Sequence, residues 1–175
     1  MATNIKALTA GKAMIPKTLI GSSVIILNDR LVDEYTAHFF YRTAANWCKG
    51  VGYNKAAEFF TKEAVSELEH AETLQKYLVD WNIIPTMPSV KPAITFSGLI
   101  DIVNKAYALE YGLFEKYNND SMRVFTNDLP TFDFLKHYRD IQTESVAEYS
   151  DLLNAAMLIN PESLLDIITY EDTYF

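Results

Sequence analysis

Apolar residues recur at three- and four-residue steps through four long stretches of the chain, the period of an amphipathic helix. The first stretch runs from about Ser23 to Cys48, and Gly50 and Gly52 close it, as glycine commonly closes helices. The second runs from Asn54 to about Trp81. "NIIPTMPSVKPAITF" then brings Pro85, Pro88 and Pro92 close together, which fits neither helix nor central strand. A third helix is expected from Ser97, as N-cap, to Val124, where "TNDLP" breaks the pattern. A fourth is expected from Thr131 to about Leu158. Asn160 as N-cap and Pro161 at the first helical position open a short fifth helix, ending near Tyr170. Each long helix measures about 40 Å at ~1.5 Å per residue. Short turns make the first and second helices, and the third and fourth, antiparallel pairs. The proline-rich link, extended at ~3.3 Å per residue, can run the length of the bundle. The expected fold is all-α: an N-terminal extension over 1–22, a four-helix bundle with one long crossover over 23–159, and a short fifth helix and tail over 160–175.

Each apolar stripe has a polar intruder near its middle. In the first helix Val24, Leu27, Leu31, Ala37 and Tyr41 share a face with Glu34. In the second, Phe60, Ala64, Ala71, Leu74 and Leu78 share one with Glu67, and His70 lies alongside. Val103, Ala106, Leu113 and Tyr117 surround Glu110 in the third; Leu135, Tyr138, Tyr149 and Leu152 surround Gln142 and Ser145 in the fourth. A single Glu-x-x-His reads as a solvated charged face, and Glu63, Glu69 and Glu72 fit such a face. His38 and His137 read as surface or packing residues. Four intrusions at matching heights read differently. Buried carboxylates are costly unless something neutralises them, and no lysine or arginine stands on those stripes. A bound dication supplies the missing charge. Oxygen ligands with one imidazole suit iron, manganese or zinc.

Composition narrows the classes. The formal charge of −8 repels nucleic acid and anionic membrane and attracts cations. One cysteine, Cys48, excludes an internal disulfide and suits a reducing cytosol. The start, "MATNIKALTAGKAMIPKTL", has no continuous apolar run of a secretory signal, and no stretch is long and apolar enough to span a bilayer. These features predict a cytoplasmic protein without a nucleic-acid or membrane partner.

The same residues carry a resemblance to the ferritin family, in its non-haem, bacterial-type branch, from about Ile25 through Leu158. "LVDEYTAHFFYRTAANWC" resembles the first ferritin helix, which implies a metal ligand at Glu34 and the site tyrosine at Tyr41. "EAVSELEHAETL" resembles the second, implying a bridging Glu67 and a ligand at His70. "AYALEYGLFEKY" places the third-helix ligand at Glu110, and "TFDFLKHYRDIQTES" places a glutamine at Gln142. The resemblance implies a ferritin-like bundle whose di-iron centre oxidises Fe(II) with dioxygen or peroxide and stores ferric mineral. It also implies a homo-oligomeric shell of twenty-four subunits, with "PESLLDIITY" as the helix at its fourfold axes.

The departures from the family pattern are specific. Ser145 stands where bacterioferritin and rubrerythrin carry a second histidine. Leu68 stands at bacterioferritin's haem-ligating methionine, so no haem is expected. The third iron site of many bacterial ferritins maps to Ser66, Ile141, Glu144 and Ser145, leaving Glu144 as its candidate metal ligand. The threefold-channel acids of animal ferritins map to Phe132 and Leu135. The alternative is a di-metal bundle protein with a structural or non-storage oxidase role.

Overall fold

The computed structural model describes residues 17–89 and 94–175. The first sixteen residues of the expected extension, and Pro92, lie outside the described residues. Among the described residues the chain forms five helices: α1 (Gly21–Val51), α2 (Asn54–Asp80), α3 (Leu99–Val124), α4 (Leu129–Ala156) and α5 (Leu164–Tyr174). α1 packs along α2 and α3 along α4. Paired residues on α1 and α2 step in opposite directions, Tyr35 with Gln75 and Tyr41 with Phe60, as an antiparallel hairpin requires. Thr86, in the crossover, donates its N–H to the Asn28 Oδ1 at 2.7 Å and so ties the link to α1. The α2–α4 seam is bridged by aromatic rings, with Tyr77 stacked on Phe134 at 3.8 Å.

The expected stripes form the core. Leu27, Leu31, Ala37 and Tyr41 from α1, Phe60, Ala64 and Leu74 from α2, Val103 and Ala106 from α3, and Leu135 and Tyr149 from α4 are all fully buried. Each large side chain so buried is worth about 1.5–3 kcal/mol. The core therefore sets the helices rigidly around the polar intruders in their midst.

The helix ends differ from the expected ones, for local reasons. α1 runs through Gly50 and stops at Gly52, which adopts a left-handed φ of 101°. Its N–H and that of Tyr53 both reach the Cys48 carbonyl, satisfying an otherwise orphaned acceptor. α2 stops at Asp80, ahead of any proline: Asn82 takes φ 62°, and Ile83 donates its N–H back to the Leu78 carbonyl. α3 begins after Gly98 rather than Ser97, whose N–H is instead held by the Asp101 carboxylate at 2.9 Å. α4 begins at Leu129, two residues early, because Asp128 caps it through the Thr131 N–H and proline is tolerated in a first turn. α5 begins at Leu164, not Pro161. Asn160 closes a local turn onto the Glu162 N–H, while Ser163 accepts from the Asp166 N–H. Part of the 1–22 segment is structural: Leu19 is buried, and α1 starts at Gly21.

Candidate metal centre

Three side chains from two helices converge in the bundle interior. Glu67 and His70 lie three apart on α2, one turn along the same side. Glu34 faces them from α1 and is fully buried. His70 Nδ1 lies 3.5 Å from Glu34 Oε2 and 3.4 Å from Glu67 Oε2. One ligating atom from each of the three falls within 4.8 Å of the other two. Ser66 Oγ sits 3.4 Å from the other ring nitrogen, Nε2.

The third and fourth helices contribute less. Glu110 is buried on α3, and its Oε1 accepts a hydrogen bond from the Tyr41 hydroxyl. Gln142 is buried on α4. Glu110 is not part of the three-residue cluster. Glu144 is exposed on α4, away from this interior, and Ser145 is half-buried. His38 contacts the Ala64 carbonyl and His137 is exposed, so both are packing and surface residues as expected.

Three buried oxygens here have no hydrogen-bond donor: Glu34 Oε2, Glu110 Oε2 and Gln142 Oε1. An uncompensated buried charge costs on the order of several kcal/mol. Every orphan is an acceptor, so a bound cation would satisfy all three. Carboxylate oxygens with one imidazole and one amide oxygen fit a hard or borderline dication. Glu34, Glu67 and His70 could hold one such ion, and Glu110 and Gln142 could contribute to a second.

The electrostatics of the metal-free site express the same deficit. Burial, and then the charge of Glu34, push the Glu67 carboxyl well above its ordinary range. Burial pushes Glu110 up to about 7, with the Tyr41 hydrogen bond opposing and the Glu34 charge adding. Burial alone would lower His70, but hydrogen bonds and charge from Glu34 and Glu67 outweigh it and lift the ring to about 10. Without a metal, the imidazolium is the cation of the site.

Several contributors escaped the sequence reading. Tyr117, expected in the apolar stripe of the third helix, donates its hydroxyl to Glu34 Oε1. Tyr138 stacks on Tyr117 and donates to the His70 carbonyl at 2.8 Å. The signal was present: Glu34 and Tyr41 are seven apart on α1, as are Glu110 and Tyr117 on α3. Glu63 is not on the solvated face. It is half-buried, receives the Tyr149 hydroxyl at 3.3 Å, and is pushed up to about 7 by burial and the charge of Glu148. One arginine is buried after all. Arg30 lies over the Tyr117 ring, but its ion pairs are Asp33 at 3.0 Å and Asp120 at 3.5 Å, so it leaves the central carboxylates uncompensated.

Comparison with known proteins agrees with the fold. Residues 25–159 match the family profile described as the ferritin-like domain. A bacterial non-heme ferritin of Staphylococcus aureus is 26% identical over 152 residues, 86% of this chain and 89% of that protein. A probable bacterial non-heme ferritin-like protein of Haemophilus influenzae is 26% identical over 133 residues, 75% of this chain and 81% of that protein. The open pore ferritin of Archaeoglobus fulgidus shares the fold, with a TM-score of 0.83 at 16% identity over 90% of this chain and 98% of that one. Among the described residues no helix is long and apolar enough to cross a membrane. The profile spans all four long helices and the side chains they bring together, and the chain belongs to the ferritin family.

Proposed function

We propose that this protein is an iron-storage ferritin that oxidises Fe(II) at a di-iron ferroxidase centre within its own bundle. The observation that carries this reading is the convergence of Glu34, Glu67 and His70, with buried orphan oxygens on Glu34, Glu110 and Gln142 around them. Fe(II) is the substrate. Glu34, Glu67 and His70 hold one ion; Glu67, Glu110 and Gln142 hold the second, with Glu67 bridging. Two Fe(II) give one electron each to dioxygen, which with two protons leaves as hydrogen peroxide, and both ions end as Fe(III) for storage. Tyr41 holds Glu110 in place through its hydroxyl. Adding Fe(II) aerobically to the metal-free protein should produce ferric absorbance and particles that grow with iron load. Oxidation no faster than in protein-free buffer would overturn the reading.

The shell belongs to the same proposal. α5 leaves Leu164, Leu165 and Ile168 exposed, and Met157 and Leu158 precede it in the open. Apolar side chains so placed favour burial against copies of the chain. A closed homo-oligomer, of twenty-four subunits by family likeness, accounts for them. Light scattering in metal-free buffer should report that mass; a monomer or dimer would refute it.

A further inference from the structure

We propose that Arg30 seals the α1–α3 side of the centre against cations, so that ions enter and leave past His70 on the α2–α4 side. The inference rests on the metal centre proposed above and deepens it by naming the route to that site.

The α1–α3 side carries a ladder of charges that runs inward. Lys116 donates to Asp33 Oδ1 at 2.8 Å, and Asp33 Oδ2 pairs with Arg30 Nη2 at 3.0 Å. Arg123 donates to Asp120 Oδ1 at 3.0 Å, and Asp120 Oδ2 lies 3.5 Å from Arg30 Nε. Exposure falls step by step. The Arg123 and Lys116 side chains are 64% and 49% exposed, Asp33 is 19% and Arg30 is 9%. Beneath Arg30 lies the Tyr117 ring, its centroid 5.8 Å from the guanidinium carbon, and beyond it Glu34, which accepts the Tyr117 hydroxyl. Tyr117 and Glu34 are both fully buried. Arg30 is thus the innermost charge on the approach to Glu34 from this side. Two features set it apart from a packing residue. Its Nε and Nη1 are buried without a hydrogen-bond partner. A buried arginine so poorly paired often contributes less to stability than an apolar side chain of its size. The ladder also sets three cationic groups against two carboxylates, an excess of positive charge in a chain whose formal charge is −8. A guanidinium does not lose its proton in a protein, so the repulsion is permanent, and burial leaves it little screened by salt.

The α2–α4 side is built the other way. His70 is the most open of the three clustered residues, its side chain 15% exposed against 4% for Glu67 and none for Glu34. Tyr138 of α4 donates to the His70 carbonyl, so this open edge faces the α2–α4 seam. The residues beside it are small: Ser66 Oγ stands 3.4 Å from His70 Nε2, and Ser145 is half-buried on α4. Glu63, one turn before Glu67 on α2, is half-buried in the same seam, where it accepts from the Tyr149 hydroxyl of α4 at 3.3 Å and feels the charge of Glu148. Small hydroxyl side chains leave room for an ion, and the carboxylates attract it. A cation therefore meets attraction beside His70 and repulsion at Arg30, and a charged approach of one sign governs the rate at which an ion arrives.

The test is stopped-flow loading of Co(II) into the metal-free protein, followed by its visible absorbance, a measurement that involves no oxidation. R30Q removes the charge and keeps a donor for Asp33; it should load several-fold faster, because a second route opens. R30K keeps the charge and should load as slowly as the unmodified protein, which a role in shape alone would not produce. E63Q weakens the attraction on the other side and should slow loading. In the R30Q/E63Q double variant the slowing should be smaller, since ions then bypass Glu63. E63Q lies outside the ladder, so it tests the route even where R30Q fails to fold. The proposal is overturned if R30Q loads at the unmodified rate, if R30K loads as fast as R30Q, or if E63Q leaves the rate unchanged. In each of those cases Co(II) still binds, so the metal centre stands and this inference alone falls. Failure of the unmodified protein to take up Co(II) would instead remove the metal centre, and this inference with it.

Discussion

On the α1–α2 hairpin, Glu34 and Tyr41 stand seven apart and Glu67 and His70 three apart; on the α3–α4 hairpin, Glu110 and Tyr117 repeat the first spacing and Gln142 and Ser145 the second. The geometry is shared and the chemistry is not. The first hairpin offers two carboxylates and an imidazole, gathered into one cluster. The second offers one carboxylate, which lies outside the cluster, with a buried amide and a half-buried hydroxyl. A neutral amide adds no charge, and a hydroxyl is a weak ligand beside an imidazole. On the proposed function, the same scaffold would hold two half-sites of unequal strength. A storage protein gains from that inequality, because an ion held weakly can move on after oxidation.

The largest effect should come from dismantling the strong half. His70→Ala removes the nitrogen ligand, and Glu67→Ala removes the carboxylate proposed to bridge. Each should abolish the fast phase of Fe(II) oxidation while leaving the helical fold intact by circular dichroism. Unchanged initial rates in both variants would place the centre elsewhere.

A smaller effect is expected from making the weak half resemble the strong one. Ser145→His places an imidazole three residues after Gln142, as His70 follows Glu67. The second ion should bind about tenfold tighter, or ~1.4 kcal/mol, and leave more slowly. Crystals soaked with Fe(II) for graded times report this directly as occupancy at the two positions. In the unmodified protein the first position should fill ahead of the second. Equal filling at the shortest soak would remove the asymmetry.

The contrast between the hairpins was partly legible in the sequence. Periodicity located the four long helices, since a stripe that faces a core must repeat with the helical turn. It also exposed Glu34, Glu67, Glu110 and Gln142, because a polar residue in such a stripe breaks the pattern. Helix ends were less legible, since capping is a competition among neighbouring side chains. At α5, Asn160 was the expected cap, but Ser163 and Asp166 exchange hydrogen bonds three residues later and win. Tyr117 was missed because a hydroxyl's partner on another helix leaves no trace in the periodicity of its own. Glu110 was expected as a ligand; its Oε1 accepts from the Tyr41 hydroxyl, and its buried Oε2 has no hydrogen-bond partner.

The smallest effect should be on stability against pH in the metal-free protein, and it falls in two windows. Glu110 rises from 4.5 to about 7, so the folded state binds its proton more tightly than the unfolded state does. That contribution is complete below about pH 4.5 and is lost as pH rises through 7. Glu63 shares this lower window, with a rise to about 7. His70 rises from 6.5 to about 10, so its contribution is complete below 6.5 and is lost on the way to 10. Thermal midpoints of the metal-free protein should therefore fall in two stages, by a few degrees in all. Glu110→Gln should reduce the lower stage to the share contributed by Glu63. His70→Gln should flatten the upper and leave the lower. A bound dication replaces the imidazolium, so Zn(II) should erase the upper stage in the unmodified protein and release protons as it binds. The comparison fails if His70→Gln leaves the decline above pH 7 unaltered, because the upper window would then belong to a group other than His70.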